Sequence, residues 1–280
     1  MNVCASVSAP PTHAADHFVS INGTRLRYRD EGRGPAVLLV HGWTLDLQMW
    51  DPQVSALRDT FRVVRLDRRG HGLSAGSPSP EHDGEDLGGL CRHLGLTRVA
   101  LIGMSQGVRG VLAYASAAPV QVSALILDGP PALGSESDPE VSLQQYAQVV
   151  RTHGIDAFRH AWAHHPLMEL RTRNPEMRAL LAAMIERYPG NDLNSQAARA
   201  ELAAPRVRLE AVVAPALVLS GEYDLPGRRQ AAQQLATRLS HVELAVIPGA
   251  GHLPNLDSPE VYSKLCRAFL VRHCSRRDPY

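Results

Sequence analysis

Short apolar runs rich in β-branched residues alternate along this chain with longer segments in which apolar positions recur at helical spacing. Such alternation predicts a largely parallel β-sheet with helices on both faces. A hairpin opens the pattern, because Asn22-Gly23 is a strong tight-turn signal between two strands. The predicted strands are His17–Ile21, Arg25–Tyr28, Ala36–Val40, Phe61–Leu66, Val99–Ile102, Val122–Leu127, Ala216–Leu219 and Val242–Ile247.

Helices are expected between these strands, at about 46–59, 85–95, 107–118 and 227–240, with a last helix beginning near Asp257-Ser258-Pro259-Glu260. The alternation of strands and helices is interrupted between Pro130 and about Arg208, where the sequence predicts only helical segments such as Ile155–His165 and Glu176–Tyr188. This insertion predicts a cap over an active site, although extra helices packed on a sheet edge would give the same pattern. The predicted organisation is a disordered tail at 1–16, an α/β core at 17–130 and 209–280, and a helical cap at 131–208.

Composition narrows the class of protein. The formal net charge is +1, so nothing indicates nucleic acid or an acidic membrane surface as a partner. No apolar run approaches the roughly 18 residues that a transmembrane helix needs. The first 16 residues lack the basic start and apolar stretch of a signal peptide. The four cysteines have neither paired nor metal-ligand spacing, which favours a reducing, cytoplasmic setting: Cys4, Cys91, Cys266 and Cys274.

The most specific motif is Gly103-Met104-Ser105-Gln106-Gly107. It lies between a predicted strand and an alanine-rich helical stretch, which is the context of a nucleophile elbow. There the serine occupies a strained turn, and glycine two residues before and after it relieves crowding. A glycine-rich turn with a non-catalytic serine could have the same sequence, but the candidate partners described below favour Ser105 as a nucleophile.

A serine nucleophile needs a base to take its proton and a carboxylate to orient that base. His252 follows the last predicted strand through a glycine-rich loop, and Asp224 follows the strand before it. The carboxyl ends of parallel strands meet at one edge of a sheet, so both side chains are expected near Ser105. Three other carboxylates are rivals for the acid: Asp128 at a strand end, Asp67 in a turn, and Glu222 in the same loop as Asp224.

The developing oxyanion needs two preorganised N–H donors. The first predicted donor is the amide of Gln106, directly after the nucleophile and at the positive end of its helix. The second is the amide of Trp43, in the loop after Ala36–Val40, where Gly42 allows close backbone approach. His41 adjoins this loop, either as a pocket residue or as a brace for the loop.

Together, His41-Gly42-Trp43, the run Asp67-Arg68-Arg69-Gly70-His71-Gly72-Leu73-Ser74, Gly103–Gly107, Gly221–Asp224 and Gly249–His252 resemble the α/β-hydrolase superfamily. The chain is similar to its capped esterase, enol-lactonase and cofactor-free haloperoxidase branch over about residues 17–273, apart from the cap. The resemblance implies an eight-stranded, mostly parallel sheet, a helical cap after the sixth strand, a Ser-Asp-His triad and no cofactor. One departure is Val108-Arg109, where the elbow helix often continues with another glycine.

The expected function is hydrolysis of a small carboxylic ester or lactone through an acyl-enzyme. The same triad would serve carbon–carbon bond hydrolysis of a dienoate diketone, or perhydrolysis with peroxide in place of water. A ligand receptor with little turnover is the alternative from another class. The expected partner is a small-molecule substrate, the oligomeric state stays open, and the pocket candidates are His41, Trp162 and Met168.

A metal site is not expected. His160 and His164 are four residues apart on a predicted cap helix and so share one face, but position 161 is alanine and no third ligand is evident.

Overall fold

An eight-stranded sheet forms the centre of the computed structural model, which describes residues 14–133, 140–194 and 207–274. The strand order is β1-β2-β4-β3-β5-β6-β7-β8, in which the β1–β2 and β2–β4 pairs are antiparallel and the other pairs are parallel. The strands are β1 His17–Ile21, β2 Thr24–Glu31, β3 Ala36–Val40, β4 Arg62–Leu66, β5 Val99–Met104, β6 Val122–Asp128, β7 Ala216–Gly221 and β8 Val242–Ile247.

The sheet confirms the predicted fold class, and β2 exceeds its predicted bounds the most. β2 continues to Glu31 because its second half pairs with β4, from Tyr28 opposite Leu66 to Glu31 opposite Val63. Ten α-helices lie in the described residues: α1 Asp51–Leu57, α2 Asp83–His93, α3 Gln106–Ala117, α4 Leu143–His153, α5 Ile155–Ala163, α6 Pro175–Arg187, α7 Asn191–Asn194, α8 Pro226–Arg238, α9 Pro254–Asp257 and α10 Pro259–Cys274.

Side chains of the central strands alternate between two cores, as the two-residue period of a strand requires. Val37 and Leu39 of β3 face the layer of α1 and α10, whereas Leu38 and Val40 face α2, α3 and α8. All four are completely buried, which explains why β3 is a continuous apolar run. The two helical layers therefore enclose the sheet and leave its carboxyl edge to the loops.

Four helices, α4 to α7, fill the described part of the chain between β6 and β7. Their apolar faces join the α1–α10 core through Phe158, Trp162 and Tyr188. This interstrand segment matches the predicted cap in position and helical character, and its function as a lid stays a prediction. The predicted tail up to residue 13, Cys4, and the stretches 134–139 and 195–206 of the predicted cap lie outside the described residues. Among the described helices, none has both the length and the apolar composition needed to cross a bilayer.

Candidate active site

Ser105 lies at the turn between β5 and α3 with a backbone that few residues adopt, φ +50° and ψ −121°. Such a conformation is strained for a non-glycine residue and persists only where the surroundings impose it. Here the loop after β3 packs closely against the turn of Ser105: a Cβ on Gly107 would lie 2.6 Å from the carbonyl oxygen of His41. The strand–turn–helix context predicted for the elbow is thus present, and Ser105 remains partly exposed.

A continuous chain of hydrogen bonds links Ser105 to His252 and Asp224. The Nε2 atom of His252 lies 3.1 Å from Ser105 Oγ, and its Nδ1 lies 3.0 Å from both carboxylate oxygens of Asp224. The backbone N–H of Leu225 also donates to Asp224, at 2.7 Å. The histidine and the carboxylate are buried, so water competes little for these bonds. With Nδ1–H directed at Asp224, Nε2 is free to accept a proton from the serine hydroxyl.

The three rival carboxylates have other environments. Glu222 is exposed and accepts a hydrogen bond from the backbone N–H of Gly249. Asp67 is buried and accepts from the N–H groups of Leu47 and Leu73; burial and the nearby Asp46 raise its pKa to about 6.

Asp128 is the rival nearest to the triad. Its backbone carbonyl accepts from the Ser105 N–H at 2.8 Å, but its carboxyl oxygens are buried without a hydrogen-bond partner of good geometry. Burial and the neighbouring Asp224 raise the pKa of Asp128 well above its ordinary value. A carboxyl group whose neutral form is favoured in this way is poorly suited to stabilise an imidazolium.

The two predicted oxyanion donors lie on chain segments that flank Ser105. Gly42 is packed against the elbow: a Cβ there would lie 3.3 Å from the Ser105 Cβ. This contact places the start of the Trp43 loop next to the nucleophile. The other donor, Gln106, opens α3, and its side-chain oxygen accepts from Arg68 Nη1 at 2.8 Å. Arg68 is in turn paired with Asp83 through Nε and Nη2, so a buried ion pair fixes the Gln106 side chain.

His41 is completely buried and both its ring nitrogens are engaged. Nδ1 lies 2.7 Å from the Gly42 carbonyl oxygen, and Nε2 accepts from the Arg68 backbone N–H at 2.8 Å. Burial and the positive charge of Arg68 lower the pKa of His41 to about 3, so the ring is neutral. These contacts brace the loop, which is the second of the two predicted roles.

Trp162 and Met168 are buried between the interstrand segment and the core. Trp162 packs edge-on against Trp43, with ring centroids 4.8 Å apart. Their placement in a substrate pocket stays a prediction. His160 and His164 are exposed at the end of α5, with ring centroids 4.7 Å apart and the rings tilted by 51°. Within the described residues, no group of three or more His, Cys, Asp or Glu could hold a metal ion.

Two supporting interactions were not predicted from the sequence. One is the ion pair between Arg68 and Asp83. The motif from Asp67 to Ser74 drew attention to Arg68, but nothing in the sequence indicated that its partner is Asp83. The other is Asp257, which accepts from the backbone N–H of Gly251 at 2.7 Å and from those of Arg171 and Thr172 at 2.6 and 3.0 Å. Asp257 thereby ties the loop of His252 to the interstrand segment.

The fold is a doubly wound α/β sheet with a hydrogen-bonded serine, histidine and carboxylate at its carboxyl edge, and similar proteins are hydrolases. The sequence model of the alpha/beta hydrolase fold matches residues 35–259, and the chain belongs to this family of enzymes. It is 28% identical to the 2-(acetamidomethylene)succinate hydrolase of Mesorhizobium japonicum, over 92% of this chain and 97% of that protein.

Solved structures show the same relationship. A thermophilic esterase from Thermogutta terrifontis superposes with a TM-score of 0.80 at 29% identity, covering 94% of this chain and all of the esterase. The enol-lactonase from Burkholderia xenovorans LB400 gives a TM-score of 0.76 at 28% identity, with coverage of 91% and 100%. The protein is therefore a hydrolase whose relatives act on different substrates.

Proposed function

We propose that the protein is a serine hydrolase that cleaves a small carboxylic ester or lactone through an acyl-enzyme. Ser105 attacks the carbonyl carbon while His252 accepts its proton, and Asp224 stabilises the imidazolium that forms. His252 then protonates the leaving alkoxide. A water molecule deprotonated by His252 attacks the acyl group, and the acid leaves as Ser105 recovers its proton.

The observation that carries this proposal is the hydrogen-bonded chain from Ser105 Oγ through His252 to Asp224 at a strained elbow. The amides of Trp43 and Gln106 would stabilise the tetrahedral oxyanion in each half-reaction. The esterase and enol-lactonase among the structural relatives support an ester or lactone as substrate.

Fluorophosphonate labelling beside hydrolysis of short-chain p-nitrophenyl esters tests the proposal. The wild type should label and turn over the esters, and Ser105→Ala, with an unchanged circular dichroism spectrum, should do neither. Labelling without ester hydrolysis would show an activated serine that serves another reaction, such as hydrolysis of a carbon–carbon bond or perhydrolysis. A wild type that neither labels nor hydrolyses would refute the proposal and favour a receptor.

A further inference from the structure

The side chain of Trp43 is bonded to the interstrand segment. Its indole Nε1 donates to Asp192 Oδ2 at 2.7 Å, although the two residues are 149 positions apart. The hydroxyl of Tyr188 donates to the other oxygen of Asp192. All three side chains are buried. Burial raises the pKa of Asp192, while the bonds from Tyr188 and Trp43 favour its ionised form.

Two further contacts join the interstrand segment to the loop of residues 43–46. The indole of Trp162 donates to Thr44 Oγ1 at 2.7 Å, and the same hydroxyl donates to the Trp43 carbonyl at 2.6 Å. Arg187 Nε donates to Asp46 Oδ2 at 2.5 Å. Thr44 has a φ of +63°, which is an uncommon conformation for a β-branched residue. External contacts are needed to hold a loop in such a conformation.

The position of the Trp43 backbone matters for the proposed chemistry. An oxyanion donor acts over a narrow range of about 2.7–3.1 Å from the oxyanion, and small displacements of catalytic groups are costly. The buried Trp43 indole packs against the rings of Phe158, Trp162 and Tyr188, which restrict its rotation. A displacement of the indole is therefore transmitted through Cα to the amide. The loop has little freedom on its other side, because Gly42 is packed on Ser105.

We propose that Asp192 is a positioning residue for the oxyanion hole: by holding the Trp43 indole from α7, it sets the place of the Trp43 amide above Ser105. This inference rests on the proposed function, in which that amide is an oxyanion donor. It makes docking of the interstrand segment and assembly of the oxyanion hole a single event. Asp192 itself touches neither the substrate nor the reacting atoms in this account.

A double-mutant cycle of Asp192→Leu and Trp43→Phe tests the coupling. Leucine is of similar size to Asp192 and cannot accept a hydrogen bond, and phenylalanine keeps an aromatic ring while removing the N–H donor. Loss of a complete oxyanion donor costs about 10²–10³-fold in kcat, so a displaced donor should cost roughly tenfold. We expect each single variant to lower kcat for p-nitrophenyl butyrate by about this factor with KM nearly unchanged, and the double variant to be no slower than the slower single variant.

The matched control is Asp156→Asn, which alters an exposed carboxylate of the same segment that pairs with Arg159. It should keep wild-type kcat and KM. Fluorophosphonate labelling provides a second readout, because phosphonylation also places negative charge in the oxyanion hole, and its rate should fall in parallel with kcat. Thermal unfolding of each variant verifies that it is folded at the assay temperature.

Different failures have different signatures. The positioning role would be overturned by a raised KM with unchanged kcat in Asp192→Leu, or by independent losses that multiply in the double variant. Labelling of the wild type would still support the serine hydrolase in either case. A wild type that does not label would refute the proposed function, and the positioning role with it.

Discussion

Replacing Asp224 by asparagine should nearly abolish turnover while hardly changing the shape of the site. Both carboxylate oxygens of Asp224 lie 3.0 Å from His252 Nδ1 in a buried position. An asparagine N–H directed at Nδ1 would stabilise the tautomer that carries its proton on Nε2, and that tautomer cannot accept from Ser105. In the Ser-His-Asp template this change costs about 10⁴-fold in kcat, or about 5.5 kcal/mol of transition-state stabilisation.

The assay is steady-state hydrolysis of the best p-nitrophenyl ester found for the wild type. Glu222→Gln is the matched control, because it changes an exposed carboxylate of the same loop whose bond from Gly249 an amide oxygen can still accept. It should stay within about twofold of the wild type, since surface changes away from the chemistry have small effects. The assignment of the acid would be refuted if Asp224→Asn kept most of the activity and Asp128→Asn lost it.

Two further predictions concern stability and packing. Burial raises the pKa of Asp128, so the unfolded chain releases this proton at about pH 4 and the folded protein only at higher pH. Wild-type stability therefore falls with rising pH by up to about 1.4 kcal/mol per pH unit through this group. In urea unfolding, the stability of Asp128→Asn relative to the wild type should be greater at pH 8 than at pH 5. An equal difference at both pH values would contradict a raised pKa of Asp128. Gly107→Ala would place a Cβ 2.6 Å from the His41 carbonyl and should cost about 1–3 kcal/mol in unfolding experiments together with a loss of kcat; wild-type stability would contradict the close packing.

Local patterns predicted the parts of the site that depend on strand ends. Ser105, Asp224 and His252 each follow a strand with a clear apolar signature, and parallel strands bring their carboxyl ends to one edge. The choice of acid was less certain from sequence, because Asp128 also ends a strand. Geometry distinguishes the two carboxylates, since His252 Nδ1 faces Asp224.

Contacts between distant segments had no comparable signal. Asp192 lies in a four-residue helix after Tyr188, and nothing in its neighbourhood indicates that it accepts from Trp43. Asp257 was interpreted as part of the start of the last helix, whereas its carboxylate bonds to three backbone N–H groups in two other segments. Such partners depend on how the interstrand segment packs on the core, which propensity and spacing do not encode.

Mapping of the residue modified by a fluorophosphonate tests the central claim most directly. Wild-type protein should be labelled stoichiometrically, and peptide mass spectrometry should locate the adduct on Ser105. Labelling should disappear in Ser105→Ala and slow by orders of magnitude in His252→Gln, because the serine then lacks its base. An adduct on another residue, or wild-type labelling rates without His252, would contradict the account of an activated Ser105.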